Sequence, residues 1–343
     1  MKNRNGGSPV LAIVVPCYNE EPVLSMTVAQ LAAVLDNLKL KELISEESFL
    51  LFVDDGSKDN TWSLIAQHQA SSRHIAGLKL ARNAGHQKAL WAGLMKAKAF
   101  ADCVVSIDAD LQDDPSIIRD MVIHFHAGCD VVYGVREKRS TDTYFKRQTA
   151  ESFYKLMVKM GANIVYNHAD YRLMSRRALD NLEKYEESNL FIRGLVPMVG
   201  LRHATVYYNR AERAAGESKY PLKKMLSFAF DGITSLSVTP IRMVTVTGFI
   251  VFLLSIFFGL YALISKLSGH SVSGWASLIL SIWFIGGIQL MSIGLIGEYI
   301  GKVYIETKRR PRYHIDAEAG LARTEREEAS AEQTSIGLSP MMR

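Results

Sequence analysis

Two apolar runs without a single Lys, Arg, Asp or Glu, Met243–Ile264 and Trp275–Gly297, constrain this chain more than any other feature. They hold 22 and 23 residues. A helix rising about 1.5 Å per residue lets each cross a hydrocarbon core of about 30 Å. Buried core helices are usually shorter and more amphipathic, so two membrane spans are the expectation. Gln289 is the one strongly polar side chain in the second run, and Gly286, Gly287, Gly294 and Gly297, with Gly301 just beyond, offer close-approach surfaces. Such small-residue faces predict hairpin packing or self-association, and a homo-oligomer, up to a tetramer, is expected. No ionisable residue lies inside either run, which argues against a channel.

A chain of 343 residues with 48% hydrophobic content has room for one sizeable soluble domain before these spans. Met1–Pro9 is polar and Val10–Val15 is too short for a signal-peptide core, so that domain is expected in the cytoplasm. The net charge is only +5, and its distribution says more than its size. Lys223, Lys224 and Arg242 precede the first run; Lys302, Lys308, Arg309, Arg310 and Arg312 follow the second; the connecting loop carries Lys266 alone. The positive-inside bias then places both flanks in the cytoplasm and the loop outside. The same basic residues attract anionic lipid headgroups. Because the cluster abuts a span and has few interleaved aromatics, nucleic acid is not an expected partner. Cys17, Cys103 and Cys129 lack metal-ligand spacing and read as buried thiols of a reducing compartment.

The first half alternates β-rich and helical stretches, the α/β pattern of a mostly parallel sheet covered by helices. Strands are expected at Val10–Val15, Phe49–Val53, Gly77–Leu80, Cys103–Ile107 and Val131–Gly134, with helices at Pro22–Leu38, Thr61–Ser71, Lys88–Phe100 and Pro115–Ala127. A helical stretch from Tyr144 to Met160, a loop and strand within Asn163–Arg176, and a strand within Val199–Tyr208 follow. The expected domains are a cytoplasmic catalytic domain over 1–219, a juxtamembrane segment over 220–242, a hairpin over 243–297 and a cytoplasmic tail over 298–343. Tyr220–Thr234 reads equally as an interfacial amphipathic helix or an ordinary surface helix. Asp316–Arg343 is polar and reads as unstructured.

Acidic loops follow three of the strands, on the edge where open α/β sheets bind ligands. In Ser106-Ile107-Asp108-Ala109-Asp110-Leu111-Gln112-Asp113-Asp114-Pro115, Asp108 and Asp110 are spaced to converge on one ligand. Hard oxygen donors suit Mg²⁺ or Mn²⁺ carrying substrate phosphates. Asp113 and Asp114, beside Pro115, read as a helix start. Val53-Asp54-Asp55-Gly56-Ser57-Lys58-Asp59-Asn60-Thr61 is a turn capped by Asp59 or Asn60, with Asp54 placed to accept from a base N–H. Pro16-Cys17-Tyr18-Asn19-Glu20-Glu21-Pro22 adds an aromatic and carboxylates to the same edge. Arg82-Asn83-Ala84-Gly85-His86-Gln87 precedes a helix whose N-terminus can receive phosphate, while His86 reads first as a cap or a partner of a buried carbonyl.

These segments, with Asp170-Tyr171-Arg172-Leu173-Met174-Ser175 and Arg213-Ala214-Ala215-Gly216-Glu217-Ser218-Lys219-Tyr220, resemble family-2 glycosyltransferases of the GT-A fold. With the terminal spans, the chain is similar over roughly 10–312 to the polyprenyl-phosphate glycosyltransferases, which include bactoprenol glucosyltransferases and dolichyl-phosphate mannose synthase. The resemblance implies a GT-A nucleotide-sugar domain with a two-helix hairpin in the inner (plasma) membrane. It implies metal-dependent, inverting transfer of a hexose from a nucleotide sugar, UDP-glucose first among the UDP-hexoses, to polyprenyl phosphate for cell-envelope glycan modification. Pro16, Tyr18, Glu20 and Asp54 would line the base and ribose pocket, and Asp108 would lie near donor ribose and sugar. Asp110 and Gln112 would hold the metal, Asp170 would be an acceptor-side carboxylate, and Arg136 and Arg147 would approach the lipid phosphate. Arg213, Ser218 and Lys219 would close over the donor phosphates.

Alternatives remain at this level for two residues and for the function. Asp170 is either a general base, an orienting group or a turn carboxylate paired with Arg172, and Arg136 could simply pair with Glu137. A polysaccharide synthase of the same broad family would be expected to add Q-x-x-R-W and more spans, and no such motif occurs. A non-catalytic nucleotide-binding scaffold would tolerate loss of Asp110 or Asp170.

Overall fold

The computed structural model describes residues 7–110, 112–136, 168–187, 190–209, 239–268 and 274–320. Arg147, Arg213, Ser218 and Lys219 lie outside them, as do the stretches Tyr144–Met160 and Tyr220–Thr234.

A strand that is apolar at successive positions is buried on both faces. Leu11–Cys17 (β1) and Phe49–Asp54 (β2) are of this kind, buried throughout. They pair in parallel, from Ala12 opposite Phe49 to Cys17 opposite Asp54. Ile75–Leu80 (β3) lies parallel on the far side of β2, and Cys103–Ser106 (β4) lies parallel on the other side of β1. The crossovers are Glu21–Leu40 (α1), Thr61–Ser71 (α2) and His86–Ala97 (α3). Pro16 lies past the last β1–β4 pair, Val14 opposite Ser106, where only one neighbouring strand remains. That is a position in which a strand tolerates proline.

After Ile118–His126 (α4) the sheet continues with Val131–Arg136 (β5), His168–Ser175 (β6) and His203–Tyr208 (β7), and Ile315–Ala319 (β8) closes the other edge. The strand order is β7-β5-β6-β4-β1-β2-β3-β8. Strands β6 and β8 run antiparallel to their neighbours. The chain builds β1, β2 and β3 in one direction and then returns to place β4 on the opposite side of β1. The carboxyl ends of β1 and β4 therefore flank a topological switch point, where open α/β sheets bind ligands. This is the expected α/β sheet of the GT-A type.

Period two divides the core. Leu11, Ile13 and Val15 pack with Leu24, Val28, Leu31 and Leu35 of α1, while Ala12 and Val14 pack with Ala89, Leu90 and Leu94 of α3. Each such leucine contributes about 1.5–3 kcal/mol on burial. Gly93 lets α3 sit close to the sheet, since a methyl there would collide with Val14 Cγ1 and lie 2.7 Å from Val53 Cγ2. Helix α1 is long and apolar enough to cross a membrane. Its apolar stripe is instead buried on the sheet, so it is a covering helix.

The tail departs from the sequence expectation. Asp316–Ala319 belongs to β8, paired with β3 from Gly77 opposite Ala319 to Leu80 opposite Ile315. Lys79–Asp316 at 3.0 Å and Lys96–Glu318 at 2.9 Å fasten it, and the Arg312 guanidinium lies over the Trp91 ring at 4.5 Å. Polar composition concealed this strand because an edge strand needs backbone pairing more than apolar burial.

The chain divides into two compact units, the sheet with its helices in one and the apolar helices in the other. The latter are Thr239–Leu267 (α5) and Trp275–Thr307 (α6), which contain the two expected spans. Windows of mean hydropathy 2.2 over Pro240–Phe258 and 1.3 over Phe284–Thr307 are long and apolar enough to cross a membrane. Helix α6 runs on past Gly297 through Glu298, Lys302 and Glu306, so the helix outlasts the uncharged run. Phe249, Leu253, Phe257, Leu290 and Met291 are exposed, the signature of faces that lipid covers.

Candidate active site

Three strand ends build the site floor. Beyond β1, Tyr18 is exposed and Asn19 has φ 54°, with its Oδ1 accepting from Lys58 N at 2.8 Å and its N–H donating to Ser57 Oγ at 2.9 Å. Beyond β2 the two aspartates separate in role. Asp55 accepts from Ala84 N at 2.7 Å and Gly85 N at 2.9 Å, pinning the loop that leads into α3. Gly56, at φ 66°, makes that possible, since a Cβ there would lie 2.7 Å from the Arg82 and Asn83 backbone. Asp54 is fully buried; its Oδ1 accepts from Ser57 N, whereas its Oδ2 has no hydrogen-bond partner among the described residues. Burial pushes the Asp54 carboxyl above its ordinary value. Asp59 caps two helices, accepting from Thr61 N at 3.0 Å and Glu21 N at 3.2 Å.

The loop beyond β4 is clamped at both ends. Thr27 Oγ1 donates to Ala109 O at 2.7 Å, and Tyr171 Oη donates to Asp114 O at 2.9 Å. Asp113 Oδ1 accepts from Tyr208 Oη at 2.6 Å and from Arg136 Nη2 at 3.0 Å, and Asp114 caps Ser116 N at 2.9 Å. Asp113 and Asp114 are thus structural, as their sequence context implied. Arg136 is anchored to Asp113. Asp110 Oδ1 accepts from Gln112 N at 3.2 Å, leaving Asp110 partly exposed and Gln112 buried beside it.

Strand β6 supplies the fourth segment. Because it runs antiparallel to β4, with Ser106 opposite Arg172, its first residues lie where β4 ends. Asp170 is placed there, 5% exposed, and its backbone carbonyl accepts from Ser106 Oγ. Its Oδ1 accepts from Arg172, which is fully buried; its Oδ2 accepts from Arg193 Nη2 at 2.9 Å and Gln87 Nε2 at 3.1 Å. Gln87 also accepts from Ile192 N at 3.1 Å, which fixes the start of a short helix beyond Phe191. Burial disfavours the Asp170 carboxylate, but Arg193, His86 and Arg172 outweigh it and hold the group well below the usual carboxylate range.

His86 differs from its sequence reading. Gly85 occupies the cap position of α3, and the imidazole faces two carboxylates, with Nε2 3.7 Å from both Asp108 Oδ1 and Asp170 Oδ2. Burial works against the imidazolium, yet these carboxylates raise its pKa above the ordinary value. Asp108, His86 and Asp170 are thereby neighbours. Gln87 and Arg193 were not legible as site residues: Gln87 sat in a loop already noted as polar, whereas no local pattern marks Arg193.

The family-2 glycosyl transferase model matches residues 12–183, and the GtrB C-terminal hairpin model matches 239–303. An uncharacterized glycosyltransferase of Bacillus subtilis, YkoT, is 61% identical over 90% of this chain and 91% of its own. The bactoprenol glucosyl transferase of Shigella phage SfV is 42% identical over 90% of this chain and 98% of its own. Among solved structures, glucosyl-3-phosphoglycerate synthase of Mycobacterium tuberculosis is 17% identical with a TM-score of 0.42, covering 66% of this chain and 77% of that one. An acidic loop at the sheet's switch point, followed in one chain by an apolar hairpin, agrees with both family matches. The chain belongs to glycosyl transferase family 2 and, within it, to the bactoprenol glucosyl transferase group that carries the GtrB hairpin.

Proposed function

We propose that this chain transfers one hexose, glucose from UDP-glucose first among the donors, with inversion to polyprenyl phosphate on the cytoplasmic leaflet. The observation that carries this reading is the combination of Asp108 and Asp110 at the switch point with a GtrB-type hairpin. The relative from phage SfV is named for glucosyl transfer to bactoprenol, which supports the sugar and the acceptor.

Among the described residues no group of three or more His, Cys, Asp or Glu forms a metal cage. Asp110 and Gln112 offer hard oxygen donors of the kind that Mg²⁺ or Mn²⁺ takes, and such an ion would complete its shell with water and substrate phosphates. Asp110 and Gln112 would hold the ion, whose charge would stabilise the departing diphosphate. Pro16, Tyr18, Glu20 and Asp54 would receive base and ribose. The buried Asp54 Oδ2 is an acceptor that a base N–H would satisfy once the turn opens to admit it. Arg213, Ser218 and Lys219 would cover the donor phosphates.

An acceptor phosphate monoester has a second pKa of about 6 and is already largely ionised at pH 7. Its oxygen bonds to the sugar's C1 as the C1–O bond to UDP breaks, and no general base is required. Asp170, a poor proton acceptor among its arginines, therefore orients Arg193 and balances charge. Arg136, reaching from Asp113, and Arg147 would meet the phosphate.

The full-length protein, given radiolabelled UDP-glucose, UDP-galactose or GDP-mannose with polyprenyl phosphate and Mg²⁺ or Mn²⁺, is expected to form a chloroform-soluble labelled product. Absence of that product with every donor would sink the lipid-acceptor reading. For orientation, a cysteine placed at Ser268 should react with an impermeant maleimide from outside intact cells, since the native thiols are buried. Labelling only after lysis would overturn an external loop.

A further inference from the structure

The environment of His86 points to a sugar-recognition role that neither motif nor family match assigns. Its Nε2 stands 3.7 Å from Asp108 and 3.7 Å from Asp170, beyond hydrogen-bond length from either. For Asp170 there is a reason: its Oδ2 already accepts from Arg193 and Gln87, which uses both lone pairs of that oxygen. The imidazole stands back from it at 3.7 Å. Asp108 faces the same gap with a side chain 40% exposed, and the His86 side chain is itself 44% exposed. Two acidic oxygens and one N–H donor therefore border a space open to solvent.

The chemistry of that space selects its occupant. A phosphate there would face the carboxylate of Asp108 and the edge of Asp170. A sugar hydroxyl both donates and accepts, so it can give its proton to Asp108 and receive one from His86. We infer that His86 Nε2–H donates to a hydroxyl oxygen of the donor hexose beside Asp108, making His86 a sugar-binding residue of this site. The inference rests on the nucleotide-sugar reading above and deepens it. It does not depend on the identity of the acceptor. Asp55 supports the role at one remove, because its bonds to Ala84 N and Gly85 N fix the backbone that carries His86.

The test compares binding of a nucleotide sugar with binding of the same nucleotide diphosphate, by calorimetry on the full-length protein. The donor used is whichever of UDP-glucose, UDP-galactose or GDP-mannose the wild-type protein binds. His86→Leu, which removes the donor group, should weaken nucleotide-sugar binding about 10- to 100-fold while leaving the free diphosphate within about twofold. His86→Gln, which keeps an N–H, should recover most of that loss. Donor analogues lacking one hydroxyl should show a penalty in the wild type that disappears in His86→Leu for one position. Equal losses for sugar nucleotide and diphosphate, or no loss for either, would overturn the inference. Should His86→Leu not fold, a wild-type-like His86→Gln with an unchanged deoxy-analogue penalty supports it, and a His86→Gln that loses both ligands alike overturns it. A wild-type protein that binds a donor without making lipid product would sink the lipid-acceptor reading alone. One that binds none of the three would sink both.

Discussion

Replacing Asp170 with Ala is expected to lower the stability of the full-length protein by about 3–5 kcal/mol, in addition to abolishing transfer. The Arg172 side chain is fully buried and its carboxylate partner is Asp170. Removing that partner leaves a cation in the interior without its carboxylate, although Nη1 still donates to Ile192 O. Arg193 and Gln87 lose an acceptor at the same time. Asp170→Asn should also destabilise, since it keeps the volume but not the charge. Unfolding of the detergent-solubilised protein by heat or denaturant checks both variants. Wild-type midpoints with transfer lost would show that Asp170 serves the chemistry alone. The pH dependence follows with its sign. A carboxyl held below its unfolded value of about 3.9 contributes stability that is present above that pH and lost as pH falls towards its depressed folded value. Loss of this contribution should therefore begin below about pH 4 and be missing from Asp170→Asn.

Asp110→Ala is expected to have the opposite profile, with transfer reduced at least about 100-fold and the fold intact. Asp110 is partly exposed, and it accepts a local hydrogen bond from Gln112 N. Surface substitutions of this kind usually change stability by no more than about 0.5 kcal/mol. Loss of charge stabilisation on a leaving group is far more costly, about 2.7–4 kcal/mol of barrier even for one lost oxyanion donor. The lipid-product assay measures the first quantity. Thermal unfolding with and without Mn²⁺ and UDP measures the second and should show the metal-dependent stabilisation lost in the variant. Activity within tenfold of wild type would refute Asp110 as a metal ligand.

The contrast between these two aspartates shows what was legible locally. Asp110 sits in a string of acidic residues after an apolar strand, and that arrangement alone suggests a hard metal and a phosphate. The distinction between Asp54 and Asp55 was not legible. Adjacent carboxylates at a strand end point to opposite sides, and only the fold shows Asp55 holding the Ala84–Gly85 backbone while Asp54 Oδ2 has no hydrogen-bond partner among the described residues. Arg136 was open between a lipid phosphate and Glu137; the fold adds bonds to Asp113 and Tyr208, which no local pattern announced. Strand β8 was missed because its pairing with β3 bridges a long separation in sequence and its residues are polar.

By itself the sequence determined the alternation of strands and helices, the two uncharged runs and the acidic strand ends. All three are written in short-range patterns: period two or near-continuous burial for strands, a length of about 20 apolar residues for a span, and charge clustered at a turn. Only the tertiary structure decided that Asp108, His86, Asp170 and Arg193 are neighbours. Their convergence depends on β4 crossing back beside β1 and on β6 running antiparallel to β4, which carries the start of one strand to the end of another. No local periodicity encodes such a meeting. It follows from burying both faces of one sheet, and it turns a histidine that reads as a cap into a group standing between two carboxylates.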